Sequence, residues 1–259
     1  MEQATGFAIG SLPLATFALI AGVTVIASAV SGMSGFGGGL IIAAVLAPII
    51  GVKALVPVIG VVMLFNNAGR VWFYRKALNL RMAALVIACA APSAAIGAYF
   101  YSRLDDTIIS LVLGSVLIIS VPLRRWLAHK KVQLETKGLA AFGFVWGFLN
   151  STMIGTGLLV IPVLMGAGLF SQALLATDAL IAVGINIVKT IAFSRFDVLS
   201  LDLFIAAAVV GLFTFPGTWL AAWIVKRTSV RIHTLFMESI IMVAGTSFLW
   251  RFLRESGWL

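Results

Sequence analysis

Apolar residues run along this chain for about 20 positions at a time, the length that crosses a bilayer core, and polar residues gather in short stretches between the runs. The pattern predicts ten hydrophobic segments, at 12–31, 36–50, 54–74, 81–102, 107–123, 138–151, 154–168, 172–194, 201–225 and 232–250. The runs are too continuous for the short alternating strands of a membrane barrel, so the segments are helices. The second, sixth and seventh are only about 14–15 residues long, short of a full span. Glycine-rich turns join the first to the second and the sixth to the seventh, which predicts two broken or re-entrant helices.

The first of these turns poses a physical question. Five glycines fall between Gly32 and Gly39, inside a stretch with no charged residue from Gln3 to Gly51. Each glycine weakens a helix by about 1 kcal/mol relative to alanine, so something must offset the cost. Close packing of membrane helices is the plainer reason for small residues. The second reason is a site: irregular backbone at membrane depth is tolerated where it lines a protected cavity.

Composition fits a membrane protein. Of the 259 residues 61% are hydrophobic and 10% charged, against about 25% charged in a soluble domain, and the mean hydropathy is +1.12. The net charge of +9 belongs to short loops, where it sets orientation, and does not indicate a nucleic-acid partner. Arg75, Lys76 and Arg81, then Arg124, Arg125, Lys130, Lys131 and Lys137, then Lys226, Arg227 and Arg231 mark three basic loops, opposed by Glu135. By the positive-inside rule these loops are cytoplasmic. The loops around Asp105, Asp106, Asp197 and Asp202, and both termini, are then expected outside. Arg251 and Arg254 argue mildly against that placement of the C-terminus. The single cysteine, Cys89, sits in an apolar run, so neither a disulfide framework nor a cysteine metal cluster is expected. The start, MEQATGF, lacks a basic region, and no cleaved signal peptide is expected.

The chain also repeats. Asn67 aligns with Asn186 and Arg70 with Lys189, both 119 positions apart (67 to 186, 70 to 189), and the Gly-rich stretches align at nearly the same offset. Residues 1–127 and 138–259 then form two halves of five segments, joined by a cytoplasmic linker at 128–137, in one transmembrane domain. Five is odd, so the halves enter the membrane from opposite sides, an arrangement common in secondary transporters. Helices starting near Gly39 and Gly157 would aim free N–H groups at the midplane, where two such ends make an anion site. Ser34, Gly35, Gly37, Gly38 and Gly39 in the first half, and Asn150, Ser151, Thr152, Gly155, Thr156 and Gly157 in the second, are the candidate substrate-binding residues at the turns.

SGMSGFGGGLI and GFLNSTMIGTGLLVIPVL resemble the paired Gly-rich motifs of the sulfite exporter TauE/SafE family, also called the 4-toluene sulfonate uptake permease family. The resemblance extends over essentially the whole chain. It implies a multi-pass inner-membrane transporter for sulfite, a sulfonate or a similar small organic anion, most simply an exporter working by alternating access. An anion channel and a proton-coupled uptake permease are the alternatives. The first motif departs from the family pattern at Ala44, where the second half has Pro162, and Asp178 stands where small or hydroxyl residues are more usual.

Charges inside spans are functional hypotheses by default. Asn67 with Arg70, and Asn186 with Lys189, each share a helix face and would add amides and cations to the site. The plainer reading is that both cations snorkel to the headgroups. Asp178 and Glu238 are either partners in structural ion pairs, Glu238 with Arg231, or proton-coupling groups. No enzyme is expected: Ser34 in GMSGF is not a nucleophile elbow because Phe36 fills the second glycine position, and GFGGGL has Leu40 where a dinucleotide fingerprint needs glycine. No cofactor or metal is expected. The partners are a small anion and the lipid bilayer, and a homodimer is compatible with the sequence.

Overall fold

The computed structural model describes residues 13–130, 135–224, 242–243, 245–254 and 256. Linker residues 131–134 and the candidate pair Glu238 and Arg231 lie outside them. The described residues form the α-helices α1 (Leu14–Ser34), α2 (Gly38–Ile50), α3 (Val52–Tyr74), α4 (Leu80–Arg103), α5 (Asp106–Lys130), α6 (Thr136–Thr152), α7 (Gly157–Gly166), α8 (Ser171–Arg195), α9 (Leu201–Leu212) and α10 (Thr214–Ile224). A 3-10 turn, Arg75–Ala77, follows α3, and residues 245–254 are also helical. Six helical stretches are long and apolar enough to cross a membrane, and α2 and α7 are shorter apolar helices. The chain is an all-α polytopic membrane protein.

Three boundaries differ from the hydropathy reading. The segment 201–225 is two helices meeting at Phe213, whose N–H turns back to the carbonyl of Val210. Helix α7 has ten residues and stops at Gly166, before the glycine of positive φ at Gly168. Helix α5 continues through Lys130, so the first residues assigned to the linker are helical. Hydropathy records where a chain is greasy, not where its backbone hydrogen bonds turn.

Helices α3 and α8 form the centre. Of their most apolar windows 72% and 56% are buried, against 33–44% for the other long spans. They run antiparallel. A Cβ at Gly60 would lie 3.4 Å from Cε of Lys189, whereas ten residues on, Arg70 reaches Asp178. Higher numbers in one helix meet lower numbers in the other, over about 15 Å at 1.5 Å per residue.

Two flanking pairs brace this centre, each joining an early helix to a late one. Helix α6 packs on α4, where Gly97 brings the backbones so close that a Cβ would meet the carbonyl of Phe148 at 2.7 Å. Helix α1 packs on α10 through Gly217, whose missing side chain makes room for Val25 and Ser28. The small residues thus do serve close packing, the usual means of helix association in lipid. The outer faces carry exposed Ile26, Ile96, Phe100, Phe144, Ile191 and Trp219, side chains suited to acyl chains.

Candidate functional site

Both Gly-rich turns lie at the central pair. Helix α1 ends at Gly35, in the left-handed region at φ 86°, with its N–H bonded to the carbonyl of Ser31 at 2.8 Å. Phe36 intervenes, and Gly37 at φ 92° starts α2. A residue with a Cβ is costly in this region, so the reversal needs glycine. The second turn leaves α6 at Met153, in extended conformation, passes Gly155 at φ 88°, and starts α7 at Gly157. The turns dovetail. A Cβ at Gly35 would meet Ile161 of α7 at 2.8 Å, and one at Gly155 would meet Leu40 of α2 at 2.8 Å.

Neither α2 nor α7 has a side-chain cap at its start. The first N–H groups of a helix have no partner within it and carry the positive end of its dipole. Buried uncapped starts are unusual, and here the residues around both border one cavity of about 90 Å³. Its walls include Gly35, Gly37 and Gly39 from the first turn, Asn150, Gly155, Thr156 and Gly157 from the second, and Asn67, Asp178, Asn186 and Lys189 from α3 and α8.

Hydrogen bonds hold the second turn to its surroundings. The Trp146 indole donates to the carbonyl of Thr156 at 3.2 Å, and Nδ2 of Asn150 donates to the Thr156 hydroxyl at 2.9 Å. Nζ of Lys189 donates to the carbonyl of Asn150 at 2.8 Å. Across the site, Arg70 binds the first turn and both central helices. Its Nη1 donates to Asn67 Oδ1 at 2.9 Å and to the carbonyl of Gly35 at 3.3 Å. Its Nη2 donates to Asp178 Oδ2 at 2.9 Å and to the carbonyl of Leu175 at 3.1 Å.

The two cations do not snorkel. Arg70 is 1% and Lys189 5% exposed. Burying a charge is tolerable only when it is paired or hydrogen-bonded, and the two meet that condition differently. Arg70 has a carboxylate partner, Asp178. Lys189 has a carbonyl, and no carboxylate pairs with it among the described residues.

Several expected site residues stand back from the cavity. The Ser34 hydroxyl turns to the backbone carbonyls of Val30 and Phe36, at 2.9 and 2.8 Å. Gly38 faces α1, where a Cβ would meet the carbonyl of Ala27 at 2.8 Å. The Thr152 hydroxyl bonds back to Phe148, and Ser151 is buried against Gly97. Positive φ is found at Gly35, Gly37 and Gly155, not at Gly39 or Gly157. Gly39 instead gives way to Ile59, and Gly157 has only ordinary contacts. Arg70 acts behind the wall rather than in it. Sequence reasoning overlooked Trp146, an indole that looked like one more apolar residue. It also overlooked Asn66, which donates to Ser31 Oγ at 3.3 Å and accepts from the Thr218 hydroxyl at 3.0 Å. The doubled asparagine beside Arg70 was the available signal for Asn66.

A family model described as Sulfite exporter TauE/SafE matches residues 20–248. No curated protein and no solved structure matches the chain.

Proposed function

The chain belongs to the sulfite exporter TauE/SafE family, and on that premise we propose that it exports a small sulfur-containing oxyanion across the cell inner membrane by alternating access. The observation that carries this reading is the cavity, where two uncapped helix starts, three asparagines and a lysine with no carboxylate partner among the described residues converge. Each supplies hydrogen-bond donors or positive potential, and together they suit a compact anion with several oxygens. Size separates the candidate substrates. A cavity of about 150 Å³ holds benzene, and this one is about 90 Å³. Sulfite or a small alkyl sulfonate suits that volume better than an aryl sulfonate does.

Alternating access needs two gates around one site. Residues 1–127 and 138–259 are proposed as the inverted halves that supply them, with the basic loops in the cytoplasm. Support comes from the antiparallel crossing of α3 and α8, the corresponding helices of the two halves, which bring Asn67 and Asn186 to one cavity. Export requires no coupling ion, because a negative cell interior expels anions by about 2.3 kcal/mol per charge per 100 mV.

Sulfite-loaded proteoliposomes test the proposal. Saturable efflux driven by an inside-negative potential, with counterflow exchange and no competition from toluenesulfonate, is the expected result. Absence of sulfite flux would remove the reading, and large unsaturating currents would replace the carrier with a channel.

A further inference from the structure

We infer that the cavity takes its anion as a singly charged species, hydrogensulfite rather than sulfite in the case proposed above, and that Asp178 and Ile59 set this charge. The inference rests on that proposed function. Among the residues that line the cavity, Asp178 and Lys189 are the charged ones, and Arg70 stands directly behind Asp178. Arg70 and Asp178 cancel, so one positive charge is left over, on Lys189. The helix starts add donors and a partial positive field of about half a charge each, but no formal counter-charge. A monoanion therefore makes the buried site neutral. A dianion leaves a second formal negative charge out of water that only these partial charges oppose, which is less favourable than a neutral site.

The leftover charge has a specific origin. At the 119-residue spacing that matches Arg70 to Lys189, the position matching Asp178 is Ile59. Ile59 lines the same cavity as Lys189. The second half thus places an acid by the first half's cation, whereas the first half has an apolar side chain at the matching position.

A second observation concerns the proton. Asn150 donates through Nδ2 to Thr156, while its Oδ1 is buried without a hydrogen-bond partner. A buried acceptor lacking a donor is costly. An oxyanion that keeps one O–H can donate to it, and a fully deprotonated one cannot.

The test uses the full-length protein in proteoliposomes, measuring reversal potential against an imposed sulfite gradient. One charge per sulfur is expected, giving the full Nernst shift per tenfold gradient, and half that shift overturns the inference. At equal ionic strength, methanesulfonate, always a monoanion, should inhibit sulfite flux at least tenfold better than sulfate, always a dianion. Equal or stronger inhibition by sulfate also overturns it. Ile59→Asp should cut flux at least tenfold below the Ile59→Asn variant, which has the same shape, because the new acid cancels Lys189 and the amide does not. Equal flux in the two variants counts against the assignment of Ile59. Should Ile59→Asp fail to fold, the wild-type measurements still decide. A wild type that moves no sulfite defeats the transport reading itself and the inference with it, an outcome distinct from flux with two charges per sulfur.

Discussion

Arg70 and Lys189 hold matching places on α3 and α8, are both buried, and are treated in opposite ways. Arg70 is held by four hydrogen bonds that reach the first turn, its own helix and α8, and one of them is an ion pair with Asp178. Among the described residues Lys189 has a single bond, to the carbonyl of Asn150, and it stands in the cavity wall. A buried charge held by a carboxylate and three further acceptors is an anchor. One with a single neutral partner is electrostatically unfinished, and a ligand of opposite charge finishes it. The residues alone look equivalent, and their surroundings assign the roles.

The most damaging way to break the contrast is Asp178→Asn. It leaves the Arg70 guanidinium buried and unpaired, and losing one member of such a pair costs about 3–5 kcal/mol. Thermal unfolding of the detergent-solubilised protein should show a large fall in stability. The double variant Arg70→Met, Asp178→Leu should recover most of it, because an apolar pair of similar volume does without either charge. Failure of the double variant to recover would mean that the other bonds of Arg70, to Gly35 and Leu175, matter more than the ion pair.

Lys189→Met should act in the opposite sense. Removing an unpaired buried charge should leave thermal stability unchanged or raised. Anion affinity should fall about 10- to 150-fold, the equivalent of a charge-assisted hydrogen bond of about 1.5–3 kcal/mol. Sulfite competition in the flux assay measures it, and unchanged affinity would make Lys189 an anchor like Arg70.

The two turns sharpen the comparison at smaller magnitude. Gly35→Ala forces a Cβ into the left-handed region, at about 1–2 kcal/mol, and pushes it against Ile161. Reduced stability and a several-fold loss of flux are expected. Gly157→Ala should have the least effect, since this residue lacks a positive φ and a Cβ there would be 3.6 Å from Phe36. Near-wild-type flux is the expected outcome, and a large loss would mean that the start of α7 touches the substrate through Gly157 itself.

The helices and the site were unequally legible. Long apolar runs announce spans because a bilayer demands them, and α1, α3, α4 and α8 emerge close to their predicted limits. Residues of the glycine clusters and of the Asn-x-x-basic repeat come together around one cavity. Near the turns, sequence could not separate Ser34, Gly38, Ser151 and Thr152, which bond or pack away from the cavity, from Asn150 and Thr156, which border it. A hydroxyl near a turn has the same composition whether it faces a ligand or its own helix's carbonyls, and only the rotation of the helix distinguishes them.

Composition and spacing by themselves determined that the chain is a bundle of membrane helices, that glycine-rich turns interrupt it twice, and that an amide with a cation three residues on recurs 119 residues later. These are local or periodic properties, dictated by the cost of exposing polar backbone to lipid. What tertiary structure alone decided was the pairing. The antiparallel crossing of α3 and α8 brings Asp178 to Arg70, 108 residues away in the chain, and the end of α6 brings Asn150 to Lys189. Charge compensation depends on distance in space, and a sequence does not carry that distance.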